Sequence, residues 1–202
     1  MAETVQLKSW AGEFGDAYTD RNVVDWRTRL SAFRTMLEGT EPGSILELGS
    51  NRGHNLILLS ELFAGAQVVG LEPNMKALRI ARQTSRTLRI IRGNALEVPF
   101  GNSQFDLVIT ANMLIHIALD DLAAVLKEIH RVSRKYILSI EYFAEEETVI
   151  HYRGHDDLLW KRNFPEHYQS QFPALRLLKS GYWDRDNGFD RSHWWLWEKD
   201  PA

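Results

Sequence analysis

Ser44-Ile45-Leu46-Glu47-Leu48-Gly49-Ser50-Asn51-Arg52-Gly53-His54-Asn55-Leu56 reads as a short buried strand, a tight glycine turn and the opening of a helix. Such a strand delivers the backbone to Gly49 and Gly53, which allow close approach to a ligand, and the helix that follows points unpaired N–H groups at it. Downstream, Val68-Val69-Gly70-Leu71-Glu72-Pro73-Asn74 reads as a second strand ending in a carboxylate. Glu72 is placed to accept hydrogen bonds from ribose hydroxyls. The glycine pattern alone is weak, because it lacks a full G-x-G-x-x-G. Strand, turn, helix, strand and acid in this order point to a nucleotide site, the alternative being a purely structural turn.

Spacing does not identify the nucleotide. Dinucleotide dehydrogenases and S-adenosylmethionine methyltransferases both carry an acid about 20 residues past the glycines. The turn says more, since close packing on a pyrophosphate favours glycine at the second position, where Asn51 stands. A side chain there argues against a diphosphate and is compatible with a smaller methionine moiety. Ile91-Arg92-Gly93-Asn94-Ala95-Leu96-Glu97-Val98-Pro99-Phe100 adds a loop after a strand, and Phe105-Asp106-Leu107-Val108-Ile109-Thr110 adds another buried strand. Together these segments resemble a class I methyltransferase. The resemblance implies S-adenosylmethionine as cofactor, held by Glu47, Gly49, Asn51, Gly53, Glu72 and Pro73, with Asn94 and Ala95 at the adenine. It also places Thr110 to Met113 beside the methyl group. The usual loop carries an aspartate, which Asn94 replaces or neighbours.

A closer resemblance covers nearly the whole chain. Its blocks are Trp10-Ala11-Gly12-Glu13-Phe14-Gly15-Asp16-Ala17-Tyr18-Thr19-Asp20-Arg21-Asn22, the asparagine inside the glycine turn, Leu114-Ile115-His116-Ile117, and Tyr136-Ile137-Leu138-Ser139-Ile140-Glu141-Tyr142. Tyr152-Arg153-Gly154-His155, Leu159-Trp160-Lys161-Arg162-Asn163-Phe164, Asp184-Arg185-Asp186-Asn187 and Trp194-Trp195-Leu196-Trp197-Glu198-Lys199 follow in order. These are similar to methyltransferases associated with pseudaminic acid biosynthesis. The likeness implies a sugar-pathway substrate, and Asn163 stands where that family is expected to have an aspartate.

Bulk properties agree with a cytoplasmic enzyme of one domain. The 202 residues suffice for one full core, and 44% hydrophobic content is ordinary. No apolar run approaches the ~20 residues of a membrane span, and Met1-Ala2-Glu3-Thr4 does not open a signal peptide. Zero cysteines exclude disulfides and thiolate chemistry. A net charge of −3 counts against a general nucleic-acid binder, and Arg79, Arg82, Arg86, Arg89 and Arg92 read as a solvated face, the alternative being an RNA- or phosphate-facing stripe. The expected partner is a small-molecule substrate, with no nucleic acid and no membrane, and oligomeric state is open.

Strands are expected at 45–48, 67–72, 89–92, 107–110 and 136–141, alternating with helices as parallel βαβ units. Asp120 and Asp121 start a helix whose apolar face is Leu122, Val125, Leu126 and Ile129. Two last strands, at 175–179 and 194–198, complete an expected α/β, Rossmann-like, seven-stranded sheet, mostly parallel, with an antiparallel C-terminal hairpin and helices on both faces. Within this one domain, residues 1–40 are expected as a helical lid segment, 41–141 as the cofactor-binding core, and 142–202 as a substrate-side insertion with the last strands. Alternation is expected to send Trp195 to one face, and Trp194 and Trp197 partly to the other.

Methyl transfer is an in-line displacement at a sulfonium carbon, so a protein chiefly aligns nucleophile and methyl and excludes water. A hydroxyl acceptor adds the need for a base. His116, His155 and Tyr152 are the catalytic candidates, with His151, Glu141 and Asp186 as further titratable groups. His116 also reads as a packed histidine. Arg153 is the leading substrate contact, since a guanidinium binds a carboxylate or phosphate through two bonds; its bland reading is a surface salt bridge beside a turn glycine. His151, Tyr18, Asn22 and Asp186 join it. Trp10, Phe14 and Tyr18 repeat every four residues, as a packed helix face does. Arg21 and Asn22, at the end of that segment, are placed to reach the methionine carboxylate or the substrate. No histidine or acid spacing matches a metal motif, so no metal is expected.

The leading expectation is methyl transfer to oxygen or nitrogen of a small polar metabolite, a pseudaminic-acid-type sugar or precursor. The second is a natural-product methyltransferase with an aromatic or peptide-derived acceptor, and the third a cofactor-binding protein without catalysis.

Overall fold

The computed structural model describes residues 4–200; Met1, Ala2 and Glu3, on which the expectation about a leader rests, and Pro201 and Ala202 lie outside them. Gly12, in an extended conformation, divides the N-terminal aromatic stripe into two helices, α1 (Val5–Ala11) and α2 (Glu13–Arg21). A 3₁₀ turn at Trp26–Arg29 leads into α3 (Leu30–Leu37). There follow β1 (Ser44–Leu48), α4 (His54–Leu62), β2 (Gln67–Glu72), α5 (Met75–Thr84), β3 (Arg89–Arg92), β4 (Phe105–Ala111), α6 (Leu119–Val132) and β5 (Ser133–Glu141). The last third holds β6 (Thr148–Val149), β7 (Trp160–Lys161), α7 (Phe164–Gln171), β8 (Arg176–Trp183) and β9 (Ser192–Glu198).

Seven strands form one sheet in the order β3-β2-β1-β4-β5-β9-β8. The first five are parallel, and β9 runs antiparallel between β5 and β8. This is the expected Rossmann-like sheet with its C-terminal hairpin. The apolar runs Ile45–Leu48 and Leu107–Ile109 are fully buried or nearly so because helices cover both faces. Phe33 and Met36 of α3, Leu56 and Leu59 of α4, and Leu78 and Ala81 of α5 pack on one side. On the other, Leu122, Val125, Leu126 and Ile129 of α6 meet Phe164 and Tyr168 of α7.

The hairpin strands are longer than expected, and β6 and β7, two residues each, are too short for a periodic pattern to reveal. One expectation is corrected. Trp194 and Leu196 face the α3 side, whereas Trp195 and Trp197 share the α6 side, because a strand returns to the same face every second residue. Asn163 caps α7, its Oδ1 accepting from the Glu166 N–H at 3.3 Å. No described helix is long and apolar enough to cross a membrane.

The order in which strands are added switches sides between β1 and β4: β2 and β3 extend the sheet one way, β4 and β5 the other. A crevice opens at the carboxyl ends of strands at such a point. Trp197, fully buried against Tyr168, locks β9 into this frame. Trp197→Ala is expected to cost about 3–5 kcal/mol of stability, read from denaturant unfolding monitored by circular dichroism.

Candidate functional site

The cavity at the carboxyl ends of β1, β2 and β4 is walled by the glycine turn, the loops after β2, β3 and β4, and the N-terminal helices. Gly49 (φ 73°), Asn51 (φ 44°) and Gly53 (φ 74°) all adopt left-handed backbone, which glycine takes freely and asparagine tolerates. A Cβ on Gly49 would stand 2.7 Å from Met113 Cγ. The turn is bolted to the acid at the end of β2: the Asn51 N–H donates to Glu72 Oε2 at 2.7 Å, and the Asn74 N–H donates to Oε1 at 2.9 Å. Burial pushes Glu72 up to about 7, with those two N–H groups opposing.

Beside the turn, Glu47 is buried at the end of β1. Its Oε1 accepts from Asn55 Nδ2 at 2.7 Å, while Oε2 is buried without a hydrogen-bond partner. Burial raises Glu47 to about 7, against the Asn55 bond and the nearby Arg29 charge. Arg29 Nη1 donates to Asn55 Oδ1 at 3.1 Å and Nε to the Gly188 carbonyl at 2.8 Å. Arg29, Asn55 and His54 all line the cavity, and sequence reading missed all three as site residues. No local pattern marks Arg29, whose partners lie 26 and 159 residues away.

On the far side, Pro73, Asn94, Ala95 and Leu96 form the wall after β2 and β3. Asn94 Oδ1 accepts the N–H groups of Leu96 and Glu97 at 2.9 and 3.2 Å. The asparagine therefore holds the turn with its oxygen and leaves its amide NH₂ for a ligand.

The open end carries His116, buried in the 3₁₀ turn Leu114–His116. Its Nδ1 lies 2.6 Å from the Leu158 carbonyl, which can only accept, so Nδ1 carries the proton and Nε2 is an acceptor. Burial lowers His116 to about 4, with the Leu158 bond opposing. Trp10 lies against it with ring centroids 4.2 Å apart. Glu141, raised to about 7 by burial, accepts from the N–H groups of Met113 and Ile115 at 3.4 and 3.3 Å, and so shapes this loop from below.

The N-terminal helices are tied over the cavity by asparagines of its rim. Asn51 Nδ2 donates to Thr19 Oγ1 at 3.1 Å, Asn22 Nδ2 to Asn51 Oδ1 at 3.4 Å, and Asn74 Nδ2 to Asp16 Oδ1 at 2.8 Å. Burial pushes the cavity-lining Tyr18 up to about 12, so its hydroxyl keeps its proton at neutral pH.

Of the residues singled out from sequence, Glu47, Gly49, Asn51, Glu72, Pro73, Asn94, Ala95, Tyr18, Asn22 and His116 meet around this cavity. Gly53 stands just outside, buried at the start of α4. Thr110 is buried on the α6 face with Val108, because strand alternation turns Ala111, not Thr110, to the cavity. Arg21 and Tyr152 form a second layer, Arg21 Nη2 donating to the Tyr152 hydroxyl at 3.3 Å. The remaining four are not in the lining. Arg153 (φ 52°) and Gly154 (φ 87°) make a tight exposed turn closed by the Tyr152 and His155 backbones. His151 pairs with Asp156 at 2.7 Å on the surface, His155 packs on Phe14, and Asp186 sits in a 3₁₀ turn capped by Asp184.

Residues 45–136 match the family model described as a methyltransferase domain. An uncharacterized methyltransferase of Synechocystis is 34% identical over 92 residues, 45% of this chain and 42% of that protein. Residues 45–136, which hold the glycine turn and Glu72, are thus similar to a methyltransferase domain. It spans about half the length of the curated relatives it matches. The fold is shared with a protein of Pyrococcus horikoshii (TM-score 0.71, 17% identity, 91% of this chain and 95% of that one). It is shared too with the Burkholderia thailandensis 1,6-didemethyltoxoflavin-N1-methyltransferase, solved with S-adenosylhomocysteine (TM-score 0.67, 16% identity, 95% and 84%). In this chain's cavity Glu72 is buried beside the glycine turn, and Glu47 Oε2 is buried without a hydrogen-bond partner, a donor set into which a polar ligand fits.

Glu47, Glu72 and Glu141 each titrate near 7 when folded, above their ordinary 4.5. The folded state therefore holds more protons than the unfolded one between those values, and the stability that these groups contribute is full below 4.5 and lost as pH rises through 7. Glu141→Gln is expected to flatten the fall in ligand-free stability between pH 5 and 8 by on the order of 1–3 kcal/mol, measured by urea unfolding at each pH.

Proposed function

We propose that the whole chain is an S-adenosylmethionine-dependent methyltransferase acting on a hydroxyl or nitrogen of a small polar metabolite, a pseudaminic-acid-type sugar or a precursor of one. The observation that carries the activity is the single cavity wall that joins Glu72, the glycine turn and His116. The sugar assignment rests on the sequence resemblance. Residues 1–40 serve as the lid segment, 41–141 as the cofactor core and 142–202 as the substrate side with the last strands. The asparagine ties from the rim to α1 and α2 support the lid.

Bound S-adenosylmethionine supplies an electrophilic methyl group. Glu72 would hold the ribose hydroxyls and Asn94 and Ala95 the adenine edge, with Gly49 and Asn51 keeping the turn open to the ligand. His116 takes the acceptor's proton on Nε2. Its Nδ1–H bond to Leu158 fixes that tautomer, and burial keeps the ring neutral. Trp10, Leu7 and Ile117 keep water from the reacting end. Tyr152 and Arg21 stand behind it, where a hydroxyl and a guanidinium meet a polar acceptor as it enters. Outside the lining, the exposed His155, His151, Arg153 and Asp186 are kept for the substrate's outer parts on the strength of the sequence resemblance.

A second reading, an aromatic or peptide-derived acceptor, is favoured by Trp10 and Tyr18 in the lining. Mass spectrometry after incubation with the cofactor and a panel of amino sugars, nucleotide-activated sugars, indoles and small peptides separates the two. A methylated sugar supports the first reading, a methylated ring only the second, and cofactor binding without any product contradicts catalysis on these classes.

Glu72→Ala is expected to weaken S-adenosylhomocysteine binding by about 1–3 kcal/mol, measured by calorimetry. His116→Ala is expected to lower kcat on a hydroxyl acceptor by roughly 10²- to 10⁴-fold with cofactor affinity unchanged. With His116 at about 4, the wild-type rate is expected to show no histidine limb between pH 6 and 8 in a stopped-flow or discontinuous assay.

A further inference from the structure

Arg162 stands directly after β7 and is 1% exposed. Its guanidinium lies 5.0 Å from the centroid of the Trp160 ring, Nε donates to Glu147, and Nη1 donates to the Ile117 carbonyl at 2.7 Å. Nη2 is buried without a hydrogen-bond partner among the described residues. A cation taken out of water is unfavourable unless its charge is closely matched, and Glu147 is itself 37% exposed. An apolar side chain of similar volume would fill this space without that cost, so packing does not account for the arginine. The carbonyl that it grips does.

Ile117 follows His116 and lines the cavity. The Leu158 carbonyl, 2.6 Å from His116 Nδ1, lies four residues before Arg162. Two cross-ties therefore join the same pair of segments, His116 to Leu158 and Arg162 to Ile117. A single hydrogen bond lets either segment pivot about it, whereas two neighbouring bonds fix both distance and direction. Residues 153–157, ahead of Leu158, are exposed, so the carbonyl is located from the Arg162 side. That side is anchored in turn: the Ile150 N–H donates to the Leu159 carbonyl at 3.0 Å, and the Ala144 N–H to the Arg162 carbonyl at 3.4 Å.

We propose that Arg162, aimed by Glu147, is a positioning residue that holds the 3₁₀ turn against the Leu158 carbonyl, and so keeps the proton of His116 on Nδ1 and its Nε2 open as an acceptor. The inference rests on the proposed role of His116 as base and adds the group that imposes its tautomer. It also gives a task to the arginine of the Leu159–Phe164 block, which lies outside the cavity lining.

Nitrogen-15 NMR of the full chain labelled at histidine reads the tautomer at neutral pH without any substrate, the His116 signals being those absent from His116→Gln. Wild-type His116 is expected in the Nδ1–H form. Arg162→Met, which fills the space without the charge, is expected to lose that preference, with the Nε2–H form appearing beside it. Arg162→Lys, which keeps a donor for Ile117 but not the fork to Glu147, should retain most of the Nδ1–H form. A folded Arg162→Met with the wild-type His116 pattern would overturn the inference and leave His116 standing as base. Wild-type His116 in the Nε2–H form would overturn the tautomer and the inference together. Should Arg162→Met fail to fold, Glu147→Ala, a change at a partly exposed residue, decides: a smaller shift toward the Nε2–H form is expected, and none would overturn the inference.

Discussion

The grip of the Glu72 carboxylate on the backbone N–H groups of Asn51 and Asn74 is the constraint on which the site depends. It sets the end of β2 against the glycine turn and holds Asn51 in the left-handed conformation that the turn requires. Asn51 and Asn74 then use their side chains on Thr19 and Asp16, so the carboxylate also positions the helices that roof the cavity. Burying an acid this deeply is unfavourable, as its rise toward 7 indicates, and two charge-assisted N–H bonds offset part of that cost. A ribose would add two more donors to the same group.

The same economy of buried charge recurs around the cavity. Glu141 stands under the loop after β4 and holds the turn that presents His116. Glu47 has one oxygen satisfied and one empty. His116 is kept neutral and in one tautomer by a carbonyl rather than a carboxylate, which preserves its basic nitrogen without adding charge to a dry site. An acid satisfied by backbone N–H groups, an acid with one oxygen unpartnered and a neutral histidine give three environments to buried titratable side chains around one cavity. Where each lies in the sheet decides which it receives.

Most of the fold was legible because it is written locally. A strand, a glycine turn and an acid at the next strand's end occupy fewer than thirty residues, and the apolar runs of β1, β4 and β5 can only be buried strands. The cavity wall built from these segments was readable for the same reason. What escaped was assembled at long range: Arg29 meets Asn55 and Gly188 only after the chain has folded, and no spacing announces it. Tyr152-Arg153-Gly154-His155 also took a form its composition does not announce, a tight turn with two left-handed residues that leaves Arg153 exposed outside the cavity lining. The tryptophans of β9 were misassigned by parity alone, a two-residue period being unforgiving of one step.

Position of the bound cofactor bears most directly on all of this, and a crystal structure of the chain with S-adenosylhomocysteine would measure it. The expected density has the ribose on Glu72 and the adenine against Asn94 to Leu96. A ligand whose ribose lies away from Glu72, or whose adenine lies away from the loop after β3, would contradict the account.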